Sequence, residues 1–174
     1  GTDSYVGGLF GGTASFGSHS VTSGSQDNNA YIAKVDGSGA WQWANASSGT
    51  GIQYIGSIDA SPNGIAVSGG FSSGPSTSAT FGSTTLTGTY FEMLAAVLDS
   101  NGNWIWAKSG GSSGDDGYYN YGTGGVGWTP AGDVIAVGHS LAHGPSLTPG
   151  RCKGEVRFLR SAMGLRGVDA TVLP

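Results

Sequence analysis

Two pairs of tryptophans, Trp41 with Trp43 and Trp104 with Trp106, stand two residues apart. On a strand that spacing puts both indoles of a pair on one face, and stacked indoles can pack against the apolar C–H surface of a sugar ring. The commoner use of such a pair in a repeated strand is packing, in which case Trp→Ala costs about 3–5 kcal/mol. Asp99, with Asp115 and Asp116 in the loop Ser112-Ser-Gly-Asp-Asp-Gly117, offers the hard oxygen ligands that calcium takes. No complete ligand loop is spelled out, and turn carboxylates more often accept backbone N–H bonds. His139 and His143 stand four apart with Cys152 beyond them. That is a zinc spacing only on a helix, and Ile135 to Ser140 reads as a strand. With Glu92 and Glu155 as the two glutamates, one Cys and three His, no nucleophile motif or carboxylate pair can be picked out, and an enzyme is not expected. Asn45-Ala-Ser47 is a glycosylation sequon, meaningful in a secreted chain. Thr85, Thr87 and Thr89 alternate along one strand face in the manner of a solvated strand.

The elements that position these groups follow from self-comparison. Ala33-Lys-Val-Asp-Gly-Ser-Gly-Ala-Trp-Gln-Trp-Ala44 matches Ala96-Val-Leu-Asp-Ser-Asn-Gly-Asn-Trp-Ile-Trp-Ala107 at a constant offset of 63. Ala14-Ser-Phe-Gly-Ser18 matches Ala79-Thr-Phe-Gly-Ser83 at 65, and Ile65-Ala-Val-Ser68 answers Ile135-Ala-Val-Gly138 at 70. Within one period apolar residues alternate, and Gly, Asn, Asp or Pro marks each reversal, which predicts strands. Tyr54 to Asp59 leads through Ser61-Pro62-Asn63-Gly64 into Ile65 to Phe71 as a hairpin. Phe91 to Leu98 turns at Asp99-Ser-Asn-Gly102 into Asn103 to Lys108 as a second. Ala79 to Thr87 reads as an edge strand or an excursion. The expectation is a β-repeat domain over 1–150, with units 4–52, 53–116 and 117–150, each a four-stranded antiparallel meander.

These motifs, "I-A-V-S-G-G-F", "A-T-F-G-S-T-T-L-T" and "A-A-V-L-D-S-N-G-N-W-I-W-A-K-S-G", resemble the bacterial β-propeller repeat family of secreted and surface proteins over roughly residues 4 to 146. The resemblance implies propeller blades in extracellular, adhesive or matrix-associated chains, with no catalytic residues. The segments from Asp36 to Trp41 and from Asp99 to Trp104 also resemble the Asp-box of sialidase-type propellers, with the glycine displaced by one position. About two and a half units cannot close a ring that needs at least four blades. The chain begins at Gly1 without an initiator Met, which reads as a processed product or a fragment.

Composition narrows the function. Among 174 residues there are 34 Gly, 24 Ser and 14 Thr, and only 10% are charged. Small residues at this density oppose an ordinary helical domain, while 37% apolar content is enough to bury a core. A net charge of -4 carries no basic stripe for nucleic acid, and no apolar run is long enough for a membrane span. A single cysteine excludes an internal disulfide framework. Five of the seven Lys and Arg residues fall in 151–174, a divergent basic tail in which Val156 to Leu165 is a weak helix candidate. Sheet edges with so few charged gatekeepers recruit further strands. The expectation is therefore a secreted or cell-surface structural or adhesive protein that pairs with copies of itself. A carbohydrate-binding module using the tryptophans or the inter-repeat loops is the alternative. No cofactor is expected, calcium being the one exception considered.

Overall fold

Alternation with a period of two gives a helix no apolar stripe, and the described chain is all-β, with no helix. The computed structural model describes residues 2–24, 27–72, 77–88, 91–110, 125–139, 155–161 and 171–172. The strands are β1 (Ser4–Gly11), β2 (Thr13–Phe16), β3 (His19–Thr22), β4 (Asn28–Val35), β5 (Trp41–Ala46), β6 (Ser48–Gly49), β7 (Gln53–Ser61) and β8 (Gly64–Phe71). They continue with β9 (Thr77–Phe81), β10 (Thr84–Gly88), β11 (Glu92–Leu98), β12 (Trp104–Gly110), β13 (Gly125–Trp128), β14 (Asp133–His139), β15 (Glu155–Ser161) and β16 (Thr171–Val172).

All strand pairing between these elements is antiparallel, and the sheets are small and open. The first sheet has three strands, β1-β4-β5, and the second has four, β7-β8-β11-β12. Strands β13-β14-β15-β16 form a third. The β2–β3 hairpin stands alone, while β9–β10 is joined by the short β6. Both hairpins read from the turn residues are present: Ser61 pairs with Gly64, and β11 pairs with β12 across the Asp99 turn. The 79–87 stretch is a hairpin of its own, whose Ala79, Phe81 and Leu86 are buried while Thr85 and Thr87 are exposed.

One cluster forms most of the core. Ile32 of β4, Val67 and Phe71 of β8, Leu94 and Leu98 of β11, and Phe81 of β9 meet in it. The first sheet therefore packs face to face on the second. On the far side of the second sheet, Ala66 and Val97 pack against Val134 of the third. Strand β8 is buried along its whole length because both of its faces are covered and both of its edges are paired, with β7 and β11.

Three expectations are corrected by strand register. The tryptophans of a pair do not share a face: Val97 pairs with Trp106 but Leu98 pairs with Trp104, leaving Ile105 as the extra residue of a β-bulge. Adjacent residues of β11 point oppositely, so the two indoles do too. Gln42 makes the same bulge in β5, between Trp41 opposite Val35 and Trp43 opposite Lys34. Second, the repeated Ile-Ala-Val is displaced by one. Val134, not Ile135, packs toward the second sheet as Ile65 packs toward the first, giving a structural offset of 69, and a one-residue slip reverses faces. Third, residues 155–161 form a strand rather than a helix, paired with β14 from Asp133 opposite Ser161 to His139 opposite Glu155.

Candidate functional site

Of the sequence-marked groups, Trp43, Asn45 and Asp99 come together where the first sheet meets the Asp99 turn of the second. Asp99 starts a reversal in which its Oδ1 accepts N–H bonds from Asn101 at 2.9 Å and Asn103 at 2.8 Å, while Oδ2 accepts from Asn103 Nδ2 at 2.9 Å. The Asn103 side-chain bond, with the backbone donors behind it, holds the Asp99 carboxyl below its ordinary value of 3.8. Asp36 does the same work in the first sheet. Its Oδ1 accepts from Ser38 Oγ at 2.6 Å and from the Ser38 and Ala40 amides, and Gln42 Nε2 donates to Oδ2 at 2.7 Å. Its carboxyl is also lowered, first by the Ser38 hydroxyl.

The Asp99 turn is fastened to the first sheet by two side chains. Trp43 Nε1 donates to the Ser100 carbonyl at 3.1 Å, and Asn45 Nδ2 donates to the Gly102 carbonyl at 2.7 Å. Gly102 has φ +87° and lies flat on the indole, where a Cβ would come within 2.8 Å of the Trp43 ring. Only glycine satisfies both demands at once. Tyr5 packs against the same indole, with ring centroids 6.0 Å apart and the planes tilted by 45°.

Each remaining tryptophan has its own protein neighbour. Trp41 meets Phe16 edge-on at 5.1 Å, and Trp104 meets Phe81 edge-on at 5.0 Å, so each indole packs under the hairpin that precedes its strand in its own repeat. Trp106 packs with the cluster of Ala66, Val97 and Val134. The atom of Asn45 that a glycan would take is the one bonded to Gly102. Thr85 Oγ1 lies 3.0 Å from Thr80 Oγ1 across its hairpin. Asp115, Asp116, His143, Cys152 and Thr89 lie outside the described residues, and His139 ends β14. Among the described residues no three His, Cys, Asp or Glu side chains gather as a metal group, and no helix is long and apolar enough to cross a membrane.

Beside the Asp99 turn opens a cavity of about 270 Å³, between Tyr5 of β1, the Ser61–Gly64 turn, Asp99, and Ile105 of β12. Sequence reading passed over Tyr5, Asn63 and Ile105. The signal was present in the repeat itself, where Ile105 stands at the place of Gln42. No family model matches the chain, and no curated protein matches it.

Proposed function

We propose that this chain is an extracellular structural or adhesive β-repeat protein that joins copies of itself by strand pairing at the outer edge of β1. In this reading the repeating unit is a four-stranded meander with a hairpin excursion, of the propeller-blade type that the sequence resembles. Among the described residues, no strand stands in the first unit where β7 stands in the second.

The observation that carries the proposal is the contrast between two strands in equivalent places. Ser4 of β1 pairs with Val35, and Ile65 of β8 pairs with Leu98, positions 63 apart in the repeat. Val6 therefore corresponds to Val67, and Phe10 to Phe71. Strand β8 has β7 on its outer edge, whereas no described strand pairs with the outer edge of β1. Val67, with the first sheet over its face, is 0% exposed, and Val6 is 39% exposed. An edge of unpaired N–H and C=O groups flanked by apolar side chains is a template for another strand. Strand β1 carries no charge, and nearby Asp3 is already paired with Lys34 at 2.9 Å, so a second copy meets no like-charge repulsion there. Low charge and an abundance of small residues suit close contact between sheets outside the cell.

The test is sedimentation velocity of the intact chain beside the double variant Val6→Lys with Leu9→Lys, both positions being exposed in the single chain. The expected result is concentration-dependent growth in mass that the lysines abolish without lowering the thermal midpoint. A chain that stays at 17.4 kDa at every concentration contradicts the proposal.

A further inference from the structure

The Asp36 and Asp99 turns are built alike, and they differ at one residue whose difference has a physical consequence. In the first, the bulged Gln42 turns back and donates to Asp36 Oδ2 at 2.7 Å. In the second, Asn103 supplies that bond at 2.9 Å, which releases the bulge position. Ile105 stands there, 56% exposed, as one wall of the cavity beside Tyr5. A bulge re-aims the side chain it carries, and here it directs a large apolar group into an open recess. Around it stand the apolar Tyr5, Pro62 and Ile65 and the polar Ser61, Asn63 and Asp99.

We propose that this cavity binds a single neutral pyranose sugar. Among the described residues no Lys, Arg or His lines it, so an anionic ligand meets no counter-charge there, and the Asp99 carboxylate repels one. A carboxylate offers about four lone-pair positions. Three of those on Asp99 are filled by Asn101 and Asn103, leaving one on Oδ2 for a ligand hydroxyl. The lowered carboxyl of Asp99 keeps that acceptor ionised. Tyr5 and Ile105 supply an apolar surface for one C–H face of the ring, while Ser61 and Asn63 offer hydroxyl and amide partners. The volume of about 270 Å³ accommodates one ring rather than a chain. Trp43 and Asn45 fix the turn from behind, so the cavity exists before any ligand arrives.

The cavity shares Tyr5 with β1, so its test is run at concentrations where the chain is monomeric, and neither proposal's failure touches the other. Glucose, galactose and N-acetylglucosamine are each titrated to about 50 mM into labelled protein, well above the millimolar Kd of a small open site. Amide shifts of Asn63, Asp99 and Ile105 that saturate with at least one sugar are the expected result. Ile105→Gln, which installs the residue of the first turn, should weaken binding at least about tenfold with an unchanged thermal midpoint. Ile105→Val, which keeps the apolar wall, should retain it. The proposal is overturned by no saturating shift with any of the three sugars, by full binding in Ile105→Gln, or by tetramethylammonium shifting the same residues where sugars do not. The last outcome would mark a carboxylate–aromatic cation site instead.

Discussion

The first and second sheets are assembled from matching residues, yet one is sealed and the other is open. Strands β4 and β5 pair through a bulge at Gln42 as β11 and β12 pair through a bulge at Ile105. Each sheet carries an Asp turn, and each sets a tryptophan edge-on to a phenylalanine of its preceding hairpin. They differ in what lies beside the innermost strand. Strand β8 has β7 on one edge and the first sheet across one face; β1 packs one face against β7, and no described strand pairs with its outer edge. Equal sequence thus yields unequal burial, because burial depends on neighbours that the local pattern does not encode. In the proposed reading, the outer edge of β1 is a vacancy in the sheet rather than a finished boundary.

The sharpest way to break this comparison is at a pair of glycines. Gly69 admits the Tyr54 carbonyl of β7 where that strand bulges, and a Cβ there would collide with backbone. Gly69→Ala should cost about 3 kcal/mol in denaturant unfolding. At the counterpart Gly8 a Cβ would sit 3.1 Å from the Tyr31 ring, which can move, so Gly8→Ala should cost under about 1 kcal/mol in the isolated chain. Equal costs at the two positions would mean that β1 is as enclosed as β8.

A milder probe is the valine pair. Val67→Ala removes two buried methyls and should cost about 2 kcal/mol, while Val6→Ala, at an exposed site, should cost under about 0.5 kcal/mol. The same chemical change then reports the neighbour alone. Smaller again is the contrast of indole nitrogens. Trp43→Phe loses the bond to Ser100, worth about 1 kcal/mol, whereas Trp104 Nε1 is buried without a hydrogen-bond partner among the described residues and Trp104→Phe loses none there. The difference between their unfolding midpoints measures how firmly the Asp99 turn is held.

The smallest effect is acid sensitivity. Both turn carboxyls are held below 3.8 in the folded chain, so their contribution is complete above that value and is lost as pH falls through the lowered folded values. Thermal melts from pH 6 to pH 2 should show the midpoint dropping below about pH 4. The drop should be shallower in the Asp36→Asn, Asp99→Asn double variant. An unchanged slope would mean the turns add nothing to acid stability.

The strands, both principal hairpins and the Asp turns were legible in the sequence because each depends on local chemistry: alternation, Pro-Asn-Gly, and Asp placed before a glycine. What was not legible depends on register. The spacing of Trp104 and Trp106 promises one shared face, and the single bulged Ile105 between them reverses it. The Ile-Ala-Val match at 70 looks better than the true alignment at 69, because identity of letters carries no information about which face is buried. Residues 155–161 gave no clear strand pattern, and their pairing to β14 is set by tertiary contact. The cavity at Tyr5, Asn63 and Ile105 joins residues from three separate strands and turns, so no linear motif announces it.

Amide hydrogen exchange of β1, followed as protein concentration rises, tests the vacancy most directly. If a second copy fills the edge, the outward-facing amides of Ser4–Gly11 should gain protection in step with the growth in mass, while β8 stays protected throughout. Slow exchange across all of β1 in a strictly monomeric sample would contradict the account, because the edge would then be covered within a single chain.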